Sequence, residues 1–161
     1  MATAKITDNL DTIVSEIDIA VPIERVFKAI ADANEVKRRS PQLTAYEMDL
    51  RPGGRWHLEM HLPSSYRGVD VIRHDGEVLE VDPPRLLVHT WFANFHKNPR
   101  SRSVVRWELT STPSGTHVKV THSGLSSEPD AARDYAGGWP GVLAEVKKWV
   151  EQQNQARLEH V

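Results

Sequence analysis

The sequence predicts an α+β protein in which a curved antiparallel sheet of about six or seven strands wraps around one long C-terminal helix. From about residue 43 onward, short alternating segments separated by turn residues indicate one strand after another. Apolar residues then recur at the period of a helix, at Trp139, Val142, Leu143, Val146 and Val150. Because strands follow one another instead of alternating with helices, an α+β arrangement is favoured over a βαβ one.

The N-terminal third is predicted to contain one strand and two short helices. Residues 1–12 are expected to be flexible, and alternating β-branched residues over 13–19 predict the first strand. Pro22 suits the first turn of a helix, where its missing N–H costs nothing. A second short helix is predicted over residues 34–39, because Ser40-Pro41 ends it.

Turn residues divide the following segment into further strands. The predicted strands cover residues 43–50, 55–62, 69–81, 86–92, 103–110 and 117–122, and His74-Asp75-Gly76 is expected to interrupt the third. The clearest alternation puts Trp56, Leu58 and Met60 on one face of the strand at 55–62. Short consecutive connections favour a meander. Before the last helix, Gly137-Gly138 is interpreted as a close backbone approach where Trp139 enters the core, with Pro140 in the first helical turn.

Length and composition predict a single domain of 161 residues, with a core of about 13–150 and a fraying tail at 152–161. The absence of cysteine excludes disulfides and thiolate sites. The net charge of −2 gives no general reason to bind nucleic acid, and Lys37-Arg38-Arg39 is interpreted as a solvated face. No signal peptide or membrane-spanning stretch is visible, so a soluble cytoplasmic protein is expected.

Several motifs, in order, resemble those of one superfamily over roughly residues 13–150. They are Val21-Pro22-Ile23-Glu24-Arg25-Val26-Phe27, Arg51-Pro52-Gly53-Gly54-Arg55-Trp56, the segment 76–86, Thr90-Trp91, Thr121-His122-Ser123-Gly124-Leu125 and Gly138-Trp139. The chain resembles the START-like superfamily, the helix-grip group that includes the birch-pollen allergen. Within that group it is most similar to the bacterial branch named after activators of the heat-shock-protein-90 ATPase. The resemblance implies a largely apolar cavity between sheet and last helix that binds hydrophobic small molecules.

Strand alternation and this resemblance together predict which residues face the cavity. The predicted ligand-binding residues are Trp56, Leu58, Met60, Trp107, Val120, His122, Trp139 and Leu143. Such a lining suits a pocket of roughly 300–1,000 Å³. The alternative is that the same side chains simply pack as core. Where relatives often have an aromatic residue near the end of the second helix, this chain has Lys37-Arg38-Arg39-Ser40-Pro41, so the resemblance does not predict an apolar lid there.

His122 is the candidate catalytic residue, because alternation places it on the same face as Val118 and Val120. An imidazole there could orient a ligand, act as acid or base near neutral pH, or be a satisfied core histidine. An enzyme of the cyclase or hydrolase kind would need a second polar group, with Glu80, His89 and Tyr135 as candidates. A third hypothesis is an interaction protein resembling the co-chaperone, with an exposed apolar patch and no enclosed void.

No metal or cofactor is expected. On a strand, His57 and His61 lie about 13 Å apart at ~3.3 Å per residue, too far to share an ion, and with Glu59 they are expected on an exposed polar face. The expected partner is a small hydrophobic molecule rather than a membrane. A homodimer and a chaperone contact are alternatives. The loop at residues 94–101 is a candidate gate for the cavity mouth.

Overall fold

The computed structural model describes residues 1–159, and the side chains as far as residue 156. Within them the elements are β1 (Thr3–Ile6), β2 (Ile13–Ile19), α1 (Ile23–Ala31), α2 (Ala33–Arg39), β3 (Leu43–Met48), β4 (Arg55–Tyr66), β5 (Val69–Asp82), β6 (Leu86–Ala93), β7 (Ser103–Thr112), β8 (Gly115–Ser123) and α3 (Pro129–Glu159). The predicted tail is helical as far as Glu159, and His160 and Val161 lie outside the described residues. No helix in this part of the chain has both the length and the hydropathy needed to cross a membrane.

The strands form one antiparallel sheet in the order β1-β2-β8-β7-β6-β5-β4-β3. Each strand from β3 to β8 pairs with the next along the chain, so the predicted meander is confirmed. On the far side of β8 the sheet continues with β2, which pairs with β8 and places Ile13 opposite His122. The α+β class and the long C-terminal helix are confirmed, and the described residues contain eight strands instead of six or seven.

The extra strand is β1, in the segment that was expected to be flexible. It pairs with β2 through a loop that contains no glycine, in which Leu10 adopts a φ of 59°. The Thr7 hydroxyl accepts hydrogen bonds from the backbone amides of Asp11 and Thr12. Because polar side chains replace the usual turn glycine, the sequence shows no obvious hairpin signal here.

β5 continues through His74-Asp75-Gly76, where an interruption was predicted. A Cβ at Gly76 would lie 1.9 Å from the carbonyl oxygen of Thr90 on β6. The glycine therefore permits the two strands to approach and does not end one of them. This keeps His74 in regular strand geometry, with its side chain on the inner face of the sheet.

α3 begins ten residues earlier than predicted, so Gly137, Gly138 and Pro140 lie inside the helix. The interpretation of the two glycines as a close backbone approach is wrong, since a Cβ at either would meet no atom within 4 Å. The predicted apolar face of the helix is confirmed, because Trp139, Leu143, Val146 and Val150 are all buried in the main core cluster.

The position of α3 leaves room beneath half of the sheet. The helix packs chiefly against β1, β2 and the two short helices. The candidate site lies in the space between its N-terminal half and strands β3 to β7.

Candidate functional site

A cavity of about 370 Å³ lies between α2, the N-terminal half of α3 and the inner face of the sheet. Aromatic side chains make up much of its wall: Tyr46, Trp56, Tyr66, Trp91, Phe95, Trp107, Tyr135 and Trp139. Four of the five tryptophans of the chain therefore line it, and Trp149 does not. The volume falls within the range of ordinary ligand pockets.

The cavity wall includes five of the eight residues predicted to bind a ligand. Trp56, Leu58, Met60, Trp107 and Trp139 line the cavity, in agreement with the alternation along β4 and β7. The other three, Val120, His122 and Leu143, are buried in the core beside it. They lie on β8 and on the middle of α3, where helix and sheet are in direct contact and leave no space.

His122 does not face the cavity, because both of its ring nitrogens are engaged in the core. The indole N–H of Trp139 donates to Nδ1 over 3.1 Å, so Nε2 carries the proton and donates to the hydroxyl of Ser103 over 2.8 Å. That hydroxyl donates in turn to the Trp91 carbonyl over 2.9 Å. Burial lowers the pKa of His122 well below its usual range. The residue is therefore a satisfied core histidine in its neutral form.

The three candidate partners of His122 have different surroundings. Glu80 is exposed and takes no part in the site. His89 lines the cavity and donates from Nδ1 to the Thr90 carbonyl over 3.0 Å, which leaves Nε2 as an acceptor. Burial lowers the pKa of His89 to about 4, so it is neutral at physiological pH.

Tyr135 on α3 lines the cavity, and His96 holds its hydroxyl. Nδ1 of His96 accepts from the backbone amide of Ala93 over 3.4 Å and lies 3.1 Å from the Ser101 hydroxyl. Nε2 therefore carries the proton and donates to the Tyr135 oxygen over 2.7 Å. Burial raises the pKa of Tyr135, so its hydroxyl keeps its own proton.

Sequence reasoning missed His74, which faces the cavity from β5 within a group of aromatic rings. Ring centroids lie 4.5 Å away at Trp91, 5.9 Å at Phe95 and 6.1 Å at both Trp56 and Tyr135. Neither ring nitrogen has a hydrogen-bond partner among the described residues. Burial lowers the pKa of His74 to about 3, which makes the ring neutral. The signal that could have found it is the alternation of Ile72 and His74, hidden by the predicted interruption of the strand.

Charged side chains on the wall are paired. The expectation of a solvated face over Lys37-Arg38-Arg39 is wrong for Arg39, whose side chain is only 7% exposed. Arg39 donates from Nε to the Ala29 carbonyl and from Nη1 to Glu145, each over 2.9 Å. On another part of the wall, Asp134 accepts from the Tyr66 hydroxyl and pairs with Arg67. Packing of α2 against α1 and α3 buries the arginine that the sequence pattern places on a surface.

The loop at residues 94–101 is attached to the start of α3. The buried Glu128 carboxylate accepts from the backbone amides of Lys97 and Asn98 over 2.7 and 2.8 Å. Phe95 from this loop lines the cavity. The segment proposed as a gate thus forms part of the wall, and its backbone is fixed by a carboxylate that is itself buried.

The face expected to be exposed on β4 is partly covered. His57 is 8% exposed, and its Nδ1 lies 2.7 Å from Asp75 while its Nε2 lies 3.3 Å from Glu59. The carboxylates of Asp75 on β5 and Glu59 on β4 contact the ring, whereas His61 is exposed. Among the described residues, no group of three or more histidine, aspartate or glutamate side chains could hold a metal ion.

Comparisons with known proteins agree with this architecture. Residues 20–151 match the family model described as Activator of Hsp90 ATPase homolog 1-like protein. A comparison with curated proteins gives no match.

Similar solved structures include protein MLL2253 of Mesorhizobium loti, at 28% identity and a TM-score of 0.71 over 88% of this chain and 97% of that one. Protein Ms6760 of Mycobacterium smegmatis has 21% identity and a TM-score of 0.74, covering 95% and 96%. An HSP90 activator from Plasmodium falciparum has 28% identity and a TM-score of 0.57, covering 71% and 73%.

Proposed function

The chain belongs to the Activator of Hsp90 ATPase homolog 1-like family, and from that premise we propose that it binds a small hydrophobic, aromatic molecule in the cavity beneath α3. The observation that carries the proposal is the volume of about 370 Å³ among aromatic side chains, where a packed core would leave no such space. Aromatic walls favour aromatic ligands, because offset and edge-to-face ring contacts add to the gain from burial.

Burial of apolar surface supplies the expected affinity. A two-ring aromatic ligand that loses roughly 250 Å² of accessible surface gains about 6 kcal/mol at 25 cal/mol per Å². The loss of translational and rotational freedom offsets part of this gain. We therefore expect dissociation constants that are micromolar or weaker for simple probes, and tighter for a ligand whose polar groups also match the wall.

Two adjacent glycines on α3 offer a matched test. Gly138 lines the cavity, on the same helical face as Tyr135, Val142 and Glu145, whereas Gly137 does not line it. Both are exposed, and a Cβ at either position meets no atom within 4 Å. Gly138→Leu and Gly137→Leu should therefore change helix propensity equally, and Gly138→Leu alone should place a side chain in the cavity.

The assay is a fluorescence titration with N-phenyl-1-naphthylamine, an uncharged apolar probe. We expect saturable binding to the unmodified protein and to Gly137→Leu, and at least about fivefold weaker binding to Gly138→Leu, the equivalent of roughly 1 kcal/mol. Absence of saturable binding, or equal affinity in both variants, would contradict the proposal. The pair is cleaner than Trp107→Ala, because Trp107 is also a core residue in edge contact with Trp139.

The geometry does not favour the other two hypotheses. The hydrolase or cyclase reading depended on His122, whose nitrogens are both used within the core. The co-chaperone hypothesis expects an exposed apolar patch, and the large apolar side chains exposed among the described residues number three, Met1, Leu50 and Leu79. Capture of the protein in a pull-down with the chaperone would support the co-chaperone hypothesis.

A further inference from the structure

The polar groups on the cavity wall indicate the chemistry of the ligand, which deepens the proposed function and rests on it. Tyr135 contributes a donor. Its oxygen already accepts the proton on Nε2 of His96 over 2.7 Å, because Nδ1 of that histidine faces the amide of Ala93. The hydroxyl proton of Tyr135 is therefore not needed for this contact. From the cavity wall it is available to an acceptor on a bound molecule.

His74 contributes the complementary acceptor. Its ring is nine-tenths buried, and both nitrogens lack a hydrogen-bond partner within the part of the chain that the structure describes. Buried polar groups without partners are rare in native proteins, because each costs free energy of desolvation that nothing returns. A half-turn about the Cβ–Cγ bond exchanges nitrogen and carbon positions, so either edge of the ring can present a nitrogen to a ligand.

The charges on the wall do not favour an anion. Arg39, Asp134 and Glu145 are the charged side chains that line the cavity, with formal charges that sum to −1. Arg39 is already paired with Glu145 over 2.9 Å. No unpaired cation among the described lining residues is left for a carboxylate or phosphate, whose burial without a partner is costly.

We propose that the ligand is an uncharged phenol-type aromatic, whose hydroxyl accepts from Tyr135 and donates to His74. The two side chains are neighbours on the cavity wall, with ring centroids 6.1 Å apart, so one small ligand group can contact both. A hydroxyl on an aromatic ring suits both neighbours at once, because it accepts and donates through a single atom. A hydrocarbon would form no hydrogen bond with Tyr135 or His74, and a carboxylate would place a negative charge in a cavity whose described lining residues include no unpaired cation.

The test compares 2-naphthol, naphthalene and 2-naphthoate by isothermal titration calorimetry, with naphthalene measured by competition. The unmodified protein should bind 2-naphthol about tenfold more tightly than naphthalene, the effect of a hydrogen bond of ordinary strength, and 2-naphthoate more weakly than either. Tyr135→Phe should remove the preference for 2-naphthol and leave the affinity for naphthalene unchanged.

Tyr66→Phe is the matched control. Tyr66 also lines the cavity, but its hydroxyl proton is already donated to Asp134, so this variant should retain the preference. Thermal melts confirm that both variants fold. If both naphthalene and 2-naphthol bind but with equal affinity, or if Tyr135→Phe retains the preference, the phenol assignment is overturned and the cavity proposal stands. If neither molecule binds, the proposed function fails together with it.

Discussion

Acidification should destabilise this protein chiefly through three histidines that are buried in the neutral form. Burial lowers the pKa of His74 to about 3, that of His89 to about 4 and that of His122 well below its usual range. In the unfolded chain a histidine titrates near a pKa of about 6.5. Below that pH the unfolded state binds more protons than the folded state, so the free energy of unfolding falls as the pH falls.

The magnitude follows from the same pKa values. Between pH 7.5 and pH 5.5 each of these imidazoles becomes largely protonated in the unfolded chain and stays neutral in the folded protein. Each therefore lowers the free energy of unfolding by between about 1 and 2 kcal/mol, and the three together by about 4 kcal/mol. His96 adds to this loss of stability, because burial lowers its pKa as well. His117 acts in the opposite direction, because Glu16 and Asp18 raise its pKa and favour the folded state at low pH. Its side chain is 35% exposed, so solvent screening keeps this opposing contribution small.

The assay is urea unfolding at the two pH values, followed by tryptophan fluorescence. His74→Phe should reduce the pH dependence by roughly a quarter to a third, because it removes one of the three largest contributions. At pH 7.5 it should also raise the free energy of unfolding by about 1–3 kcal/mol, since two unpartnered nitrogens are replaced by an apolar ring. His61→Phe, at an exposed position, is the control. Equal stability at both pH values, or an unchanged pH dependence in His74→Phe, would refute the reasoning.

Two glycine substitutions test the backbone. Gly137→Ala should raise the free energy of unfolding by about 1 kcal/mol and the melting temperature by roughly 2–4 °C, because an interior glycine disfavours the helix and an added Cβ meets no atom within 4 Å. A loss of stability on thermal melting would show a close contact there after all. Gly76→Ala should lower the free energy of unfolding by about 2 kcal/mol or more, because its Cβ would lie 1.9 Å from the Thr90 carbonyl oxygen. If urea unfolding gave the same free energy of unfolding for Gly76→Ala, β5 and β6 would be able to move apart and accept the added Cβ without loss of stability.

Local patterns predicted the fold wherever one periodicity controlled a whole element. The alternation of Trp56, Leu58 and Met60 identified β4 and its inner face, and the 3.6-residue spacing from Trp139 identified the buried face of α3. The errors came from residues that usually break structure. Gly76 and the pair Gly137-Gly138 were read as interruptions or contacts, and both lie within regular elements. From the sequence, a glycine shows only that no side chain is present. Whether a neighbouring atom excludes a Cβ, as at Gly76, or nothing does, as at Gly137, depends on the three-dimensional surroundings.

The candidate site was half predictable for a similar reason. Alternation states which face of a strand a side chain occupies, but not whether the helix above it is in contact or has moved away. His122 and His74 both point to the inner side of the sheet. The first is fully buried in the core beneath α3, and the second lines the cavity between the helix and the sheet. That difference depends on the position of α3 across eight strands, which no local pattern records.

The buried histidines bear on whether the cavity is an imperfection of packing. Five histidines are buried in the described part of the chain. Four of them, His57, His89, His96 and His122, have a hydrogen-bond partner within the protein. His74 alone has none, and it is the one at which aromatic rings converge on the cavity. If folding were the sole requirement at this position, the protein would be more stable with leucine or phenylalanine there, because neither side chain would bury an unpaired polar atom. The unpaired imidazole therefore supports a role in binding, in which a ligand hydroxyl supplies the partner that the protein does not.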